Sequence, residues 1–313
     1  MVTVLIPTRP DQAEIGAVTA SRVLDYPADK LEILVARGKQ PSVQRNAGMK
    51  AARGDLIYFL DDDSLPEPGN LRRALSHFRN PVVKIVGGPN ICPPDAPPLE
   101  QKFSLVLASW LAFGPSRARY FPVGQVRDAS EKELILCNLI ARRQTMLDLG
   151  GFNEALYPNE ENALMDELQK RGGKMIYDPQ FVVLRRPRPT LQAFARMAMT
   201  YGRGRAEQVR VHPTPGSIIN FIPAFFVLYL ALVLPAFFFL GPLVFILLAF
   251  YGVILLLQAA VLAASAGPAN GLGAAPLVVL TQILYGLGIW RGLFTTLRAD
   301  GQGPPTPVTL ERM

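Results

Sequence analysis

The chain has 313 residues, of which 50% are hydrophobic and 18% charged, with a formal net charge of +7 at pH 7. That balance excludes a disordered chain and is too apolar for a typical water-soluble enzyme. Two cysteines, Cys92 and Cys137, exclude a disulfide framework, and two histidines, His77 and His212, disfavour a histidine-built zinc site.

From the start of the chain, short apolar runs alternate with helical patterns. Val2–Ile6, Leu31–Val35, Leu56–Leu60 and Val82–Val86 read as strands buried on both faces, and Ala13–Leu24, Val43–Ala52 and Pro68–Phe78 read as helices. The alternation predicts an α/β layered domain with a mostly parallel sheet, whose ligands bind beyond the C-terminal strand ends. Pro89–Pro98 reads as a linker, and Phe103–Phe113 as core or as an apolar piece resting on lipid. His77 reads as a helix surface residue and His212 as a marker of a membrane interface. The two cysteines read as packing residues.

The charge then separates along the chain. Arg185, Arg186, Arg188, Arg196, Arg203, Arg205 and Arg210 precede a stretch up to Arg291 that contains no Asp, Glu, Lys or Arg. About 20 apolar residues cross a bilayer. Ile218–Leu240, Pro242–Ala264 and Leu272–Trp290 are candidate crossings, broken at Gly241-Pro242 and at residues 267–271. The expectation is a cytoplasmic domain over 1–210 with a basic juxtamembrane segment, a membrane domain of two or three helices over 211–295, and a tail over 296–313. Met1 leads straight into a strand rather than a signal sequence, so residues 1–210 are expected at the cytoplasmic face of the inner cell membrane, in a multi-pass protein. The basic cluster fits phospholipid rather than nucleic acid. Three crossings would place Arg291, Arg298 and Arg312 outside, against the positive-inside tendency. Two crossings, with one segment in-plane or re-entrant, would keep them inside. Pro223 and Pro235 make the first apolar segment the candidate for a broken or in-plane helix.

The sharpest chemical signal is Asp61-Asp62-Asp63-Ser64, directly after the strand Leu56–Leu60. Adjacent carboxylates repel and require an offsetting cation or solvent. Oxygen ligands suit Mg²⁺ or Mn²⁺, and alternate residues of an extended chain point the same way, so Asp61 and Asp63 are positioned to face one ion. A solvated acidic turn, or a helix cap made by Asp63-Ser64, is the plainer alternative.

Several segments together resemble the GT-A family 2 glycosyltransferases. These are Val4-Leu5-Ile6-Pro7-Thr8-Arg9, Gln44-Arg45-Asn46 running on to Asp61-Asp62-Asp63-Ser64, Gly150-Gly151-Phe152-Asn153-Glu154, Tyr157-Pro158-Asn159-Glu160-Glu161 and Tyr177-Asp178-Pro179. The resemblance covers most of residues 1–186. It implies a GT-A (nucleotide-diphospho-sugar transferase, Rossmann-like) domain followed by C-terminal transmembrane helices. Tyr201–Ala206 and Tyr285–Gly292 look like membrane-bound members near the succinoglycan-type branch.

The roles that follow are implied by this resemblance. Asp61 and Asp63 bind a divalent cation on the donor diphosphate, with Asp62 toward the sugar or ribose. Pro7, Thr8 and Arg9 hold the base and ribose, and Arg45 and Asn46 lie beside the base. Asn138 and Arg142 belong to a stretch lining the sugar and acceptor site. Glu160 and Glu161 form the acidic pair, and Glu161 is its general base. A metal would neutralise the leaving diphosphate, and a base would take the proton of an acceptor hydroxyl, in an inverting displacement. The implied donor is a nucleotide-sugar, with UDP-sugar the first candidate, and the implied acceptor a lipid-linked saccharide. A bare polyprenyl phosphate acceptor and a catalytically silent nucleotide-binding scaffold are the alternatives. The chain departs from the family at Ala36-Arg37-Gly38-Lys39, where an Asp-rich turn is usual, which suggests a phosphate contact by Arg37 or Lys39. Arg203 or Arg205 would supply a pyrophosphate contact or, equally, anchor the chain to the membrane.

Overall fold

A computed structural model of the chain describes residues 1–156, 158–211, 213, 215–296 and 307–313. Tyr157, His212 and Arg298 of the sequence argument lie outside the described residues. In chain order the elements begin with β1 (Val2–Thr8), α1 (Gly16–Arg22), β2 (Leu31–Arg37), α2 (Pro41–Ala51), β3 (Leu56–Leu60), β4 (Leu65–Pro66), α3 (Asn70–His77), β5 (Val83–Gly87) and β6 (Asn90–Ile91). There follow α4 (Pro98–Leu107), α5 (Trp110–Phe113), β7 (Arg127–Asp128), β8 (Asn138–Arg142), α6 (Arg143–Asp148), α7 (Glu160–Lys170), β9 (Lys174–Tyr177) and β10 (Val183–Leu184). The chain ends with α8 (Leu191–Val211), α9 (Ile222–Leu240), α10 (Ile246–Ala266), α11 (Pro268–Phe294) and β11 (Thr309–Arg312).

Two units result. The first comprises Met1–Pro93, Ala118–Arg186 and Arg298–Met313, and the second Pro94–Arg117 and Pro187–Leu297. The expected boundary near residue 210 therefore moves to Pro187, because the basic helix α8 packs with the apolar helices. The segment after Pro93 also leaves the first unit, and the expected tail supplies a strand to it.

The first unit is built on an eight-stranded sheet in the order β11-β2-β1-β3-β8-β5-β9-β7. β1 pairs in parallel with β2 and β3, as does β5 with β9, whereas β8 runs antiparallel between β3 and β5. The sheet is thus mixed rather than mostly parallel. Alternation along β1 explains the layering. Val4 and Ile6 join a core with Val18, Leu71 and Ala74 of α1 and α3, while Leu5 joins one with Met49, Met146 and Leu164 of α2, α6 and α7. Helices therefore cover both faces of this sheet, as runs buried on both sides require.

β11 adds an antiparallel edge, with Leu310 opposite Ala36 and Glu311 opposite Val35. Arg37 Nε donates to Glu311 Oε1 at 2.8 Å and its Nη1 to the Gln12 carbonyl at 2.8 Å, so its guanidinium holds the tail and the loop after β1. A small second sheet, β4-β10-β6, pairs Leu65 with Leu184.

In the second unit, α11 packs along α8 through small residues. A Cβ added at Gly202 would lie 2.0 Å from the Tyr285 carbonyl oxygen, and one at Gly288 would lie 2.2 Å from that of Met199. The two Tyr-Gly stretches singled out in the sequence thus meet face to face. Phe103 of α4 stacks on Phe194 of α8 with ring centroids 4.2 Å apart. Two helical stretches, Ile218–Ala266 and Pro268–Phe294, are long and apolar enough to cross a membrane.

Candidate active site

The site lies at the C-terminal ends of the parallel strands β1 and β3. Thr8 ends β1, and Asp61, Asp62 and Asp63 follow β3 in a turn closed by Ser64, whose backbone N–H donates to the Asp61 carbonyl at 3.0 Å. Ser64 Oγ in turn accepts from the Asp61 N–H at 3.3 Å. The expected alternative, a Ser64 helix cap, does not form, because α3 begins only at Asn70 with Gly69 ahead of it.

The three carboxylates divide within this turn. Asp62 turns toward β1 and accepts from Thr8 Oγ1 at 2.8 Å. Asp61 and Asp63 point the other way and close on one guanidinium. Arg185 lies 2.6 Å (Nε) from Asp63 Oδ1 and 3.1 Å (Nη2) from Asp61 Oδ2. The small sheet explains this placement. β4 follows the acidic turn, β10 precedes Arg185, and their pairing brings residues 122 positions apart into contact.

Asp61 also receives Arg45. From α2 that guanidinium donates through Nη2 to Asp61 Oδ1 at 3.0 Å and through Nη1 to Glu160 Oε1 at 2.9 Å. Glu160 opens α7 and is only 3% exposed. Burial, reinforced by the charge of neighbouring Glu161, pushes its carboxyl up to about 8, against the opposing pull of Arg45. Glu160 Oε2 is buried without a hydrogen-bond partner. Glu161, next along the helix, is partly exposed. Asn159, just before α7, holds a left-handed φ of 88°, and its Oδ1 accepts from Asn162 Nδ2 at 2.6 Å. Backbone held in that region by its surroundings is a feature of functional turns.

Other residues named from the sequence have different employment. Asn46 is committed to the turn after α6: its Nδ2 donates to the Phe152 carbonyl and to Glu154 Oε1, both at 2.8 Å, and its Oδ1 accepts from the Phe152 N–H. Asn138 is fully buried. Its amide donates to the Pro89 and Phe181 carbonyls and accepts from the Tyr58 hydroxyl, so it ties strands together rather than lining a sugar subsite. Arg142 likewise donates to the carbonyls of Val83 and Phe78. Pro7 is buried within β1 and Arg9 is exposed just beyond it. Arg203 and Arg205 belong to the second unit, beside Glu207 at 3.4 Å and bonded to Gln208 at 2.9 Å respectively. His77, expected on a helix surface, contacts the buried Asp178 at 2.9 Å, and Arg73 donates to the same carboxylate at 2.7 Å. Sequence reading placed Arg185 in the basic cluster ahead of the apolar stretch and missed its position at the acidic pair.

The pair Asp61 and Asp63 fits a divalent cation by its chemistry. Two carboxylates already converge on a single positive group, and Mg²⁺ or Mn²⁺ is commonly held by one or two carboxylates, water and substrate phosphate. Among the described residues no three His, Cys, Asp or Glu side chains gather to cage a metal, so such an ion would depend on donor oxygens.

The sequence model for glycosyl transferase family 2 matches residues 18–132. The pre-mycofactocin glycosyltransferase of two strains of Mycobacterium tuberculosis is 26% identical over 199 residues, which is 64% of this chain and 39% of that protein. The chain thus spans well under half the length of these curated relatives. Among solved structures, the mannosyltransferase PcManGT from Pyrobaculum calidifontis, in complex with GDP-Man and Mn²⁺, superposes with a TM-score of 0.56 at 19% identity, covering 94% of this chain and 87% of that one. Residues 18–132 thus resemble family 2 glycosyltransferases in sequence, and the chain has a GT-A fold.

Proposed function

We propose that the chain transfers a sugar from a nucleotide-sugar to a lipid-linked acceptor at the cytoplasmic face of a membrane, with inversion at the anomeric carbon. The observation that carries this reading is the convergence of Asp61 and Asp63 on one cationic group at the C-terminal end of β3. The solved neighbour of the same fold was captured with GDP-Man and Mn²⁺, which supports a nucleotide-sugar donor and a divalent ion here.

Asp61 and Asp63 would hold that ion, which when bound neutralises charge developing on the leaving diphosphate. Pro7, Thr8 and Arg9 frame the nucleoside side at the end of β1, where Thr8 fixes Asp62. Arg45 holds Asp61 and Glu160 in register, and Glu160, protonated near neutral pH, leaves Glu161 as the carboxylate that takes the acceptor's proton. Arg203 and Arg205 serve the second unit as membrane-proximal charge. For the acceptor, the two Tyr-Gly stretches resemble the succinoglycan-type branch, whereas the curated relatives carry the name pre-mycofactocin glycosyltransferase. The shared element is an apolar anchor that concentrates enzyme and lipid-linked substrate on one surface.

The test is release of nucleoside diphosphate from a panel of UDP-, GDP- and dTDP-sugars with membrane extracts and Mn²⁺. Release that depends on the metal and disappears in Asp63→Ala is expected. Donor binding without release under every acceptor condition would favour a silent scaffold instead.

A further inference from the structure

Two guanidiniums hold the acidic turn, and they differ in freedom. Arg45 is locked at both ends: Nη2 donates to Asp61 Oδ1 at 3.0 Å and Nη1 to Glu160 Oε1 at 2.9 Å, with the side chain 7% exposed. Taking it away would strand buried partners. Arg185 is held differently. Its backbone N–H donates to the Ile91 carbonyl at 2.9 Å, which fixes its Cα just beyond β10. Its side chain is 23% exposed, and that of its nearer partner, Asp63, is 52% exposed. The guanidinium of Arg185 can therefore turn about a fixed base, whereas that of Arg45 cannot.

Entry of a divalent ion between Asp61 and Asp63 makes that difference matter. Arg185 lies 3.1 Å from one carboxylate and 2.6 Å from the other, so an ion bound to both would stand beside it, and charges of one sign that close repel. Of the two cations on Asp61, the movable one gives way. Its backbone does not follow, because β10 is paired with β4 and β6. The side chain consequently stays within its own length of the ion and of whatever else the ion binds.

That neighbour is the donor's diphosphate. Among the described residues no three His, Cys, Asp or Glu side chains gather to cage a metal, so the remaining ligands of an ion here are water and phosphate oxygens. A nucleoside diphosphate carries more negative charge than one divalent ion offsets. Arg185 can supply the rest, since its five N–H groups form a planar fork that matches paired phosphate oxygens. A guanidinium is weakly hydrated, which favours this partner over water. Arg37, marked for phosphate in the sequence, is engaged instead with Glu311 and the Gln12 carbonyl.

We propose that Arg185 is a ligand of the donor diphosphate. Without donor it neutralises Asp61 and Asp63; with ion and donor bound it turns onto the phosphate oxygens. Ion and diphosphate then each favour binding of the other, because each helps draw the guanidinium off the acidic pair, and that coupling is reciprocal. The proposal rests on the nucleotide-sugar reading and names a residue that would serve it.

The test reads binding rather than turnover. Full-length parent and Arg185→Gln are titrated by calorimetry with Mn²⁺ alone, and then with UDP, GDP or dTDP at saturating Mn²⁺. For Arg185→Gln the two affinities are expected to move in opposite directions. Mn²⁺ alone binds more tightly, and the nucleoside diphosphate more weakly by about tenfold or more, as loss of a charged hydrogen bond implies. Diphosphate affinity equal to or above the parent's overturns the inference, because the guanidinium then goes to water. Weakening of both overturns it too, since that marks a damaged site. If Arg185→Gln melts below the parent, Arg185→Met carries the same pair of expectations. A parent that binds none of the three diphosphates defeats the nucleotide-sugar reading and this inference together, whereas equal binding by parent and variant defeats the inference alone.

Discussion

Replacing Arg185 with Gln tests how the acidic pair manages its charge. The guanidinium sits 2.6 Å from Asp63 and 3.1 Å from Asp61, with its side chain 23% exposed. Opposite unit charges about 4 Å apart attract by about 4 kcal/mol at an effective dielectric of ~20. A divalent ion entering the same pair must displace part of that attraction. If only a third is forfeited, about 1.4 kcal/mol, the apparent affinity for the ion falls tenfold. Gln keeps a donor and much of the volume but not the charge. Titration of Mn²⁺ into donor-free, full-length Arg185→Gln, followed by electron paramagnetic resonance, is therefore expected to show binding at least about tenfold tighter than the parent. Thermal melting of both proteins checks that the variant is folded. Equal or weaker binding in a folded variant would refute the claim that Arg185 stands where the ion goes.

Glu161→Gln is expected to lower turnover by about 10²–10⁴-fold while the donor-induced rise in Tm persists, as removal of the proposed general base requires; unchanged turnover would point to an acceptor that is already an anion. Glu160 has a folded pKa near 8 against 4.5 for the free group, so its contribution to stability is whole below pH 4.5 and is lost as pH rises toward 8. Glu160→Gln should accordingly flatten the Tm–pH curve over that window, and parallel curves for the two proteins would contradict the assignment. Deleting Thr309–Met313 removes an edge strand and the Glu311–Arg37 pair. A loss of about 2 kcal/mol, or a Tm lower by several degrees, is expected by calorimetry. Gly202→Val drives a side chain into the Tyr285 carbonyl and should unseat α8 from α11, read as increased proteolysis within α8.

Much of the first unit was legible because its strands are long apolar runs. Leu56–Leu60 matches in both bounds, and the acidic triplet sits at the strand end where an α/β sheet receives ligands. What escaped has physical reasons. Arg185 is brought to the triplet by two-residue strands too short to show any periodicity. Asn138 has the residue type of a ligand contact, yet its place in the middle of the sheet spends its whole amide on Tyr58, Pro89 and Phe181. The tail Thr309–Arg312 is polar and charged, and only the exposed edge of β2 makes it a strand. Hydropathy located the apolar helices α9, α10 and α11 but says nothing of depth, which depends on what packs beside them.

The pairing of β11 with β2 has a consequence for how this molecule is made. Residues 309–312 complete an edge formed by residues 34–37, so that border of the sheet stays open until the apolar helices between them have been made. Until β11 is added, β2 offers an unpatched row of amide and carbonyl groups. Closure of that border is therefore reserved for chains whose apolar helices exist in full.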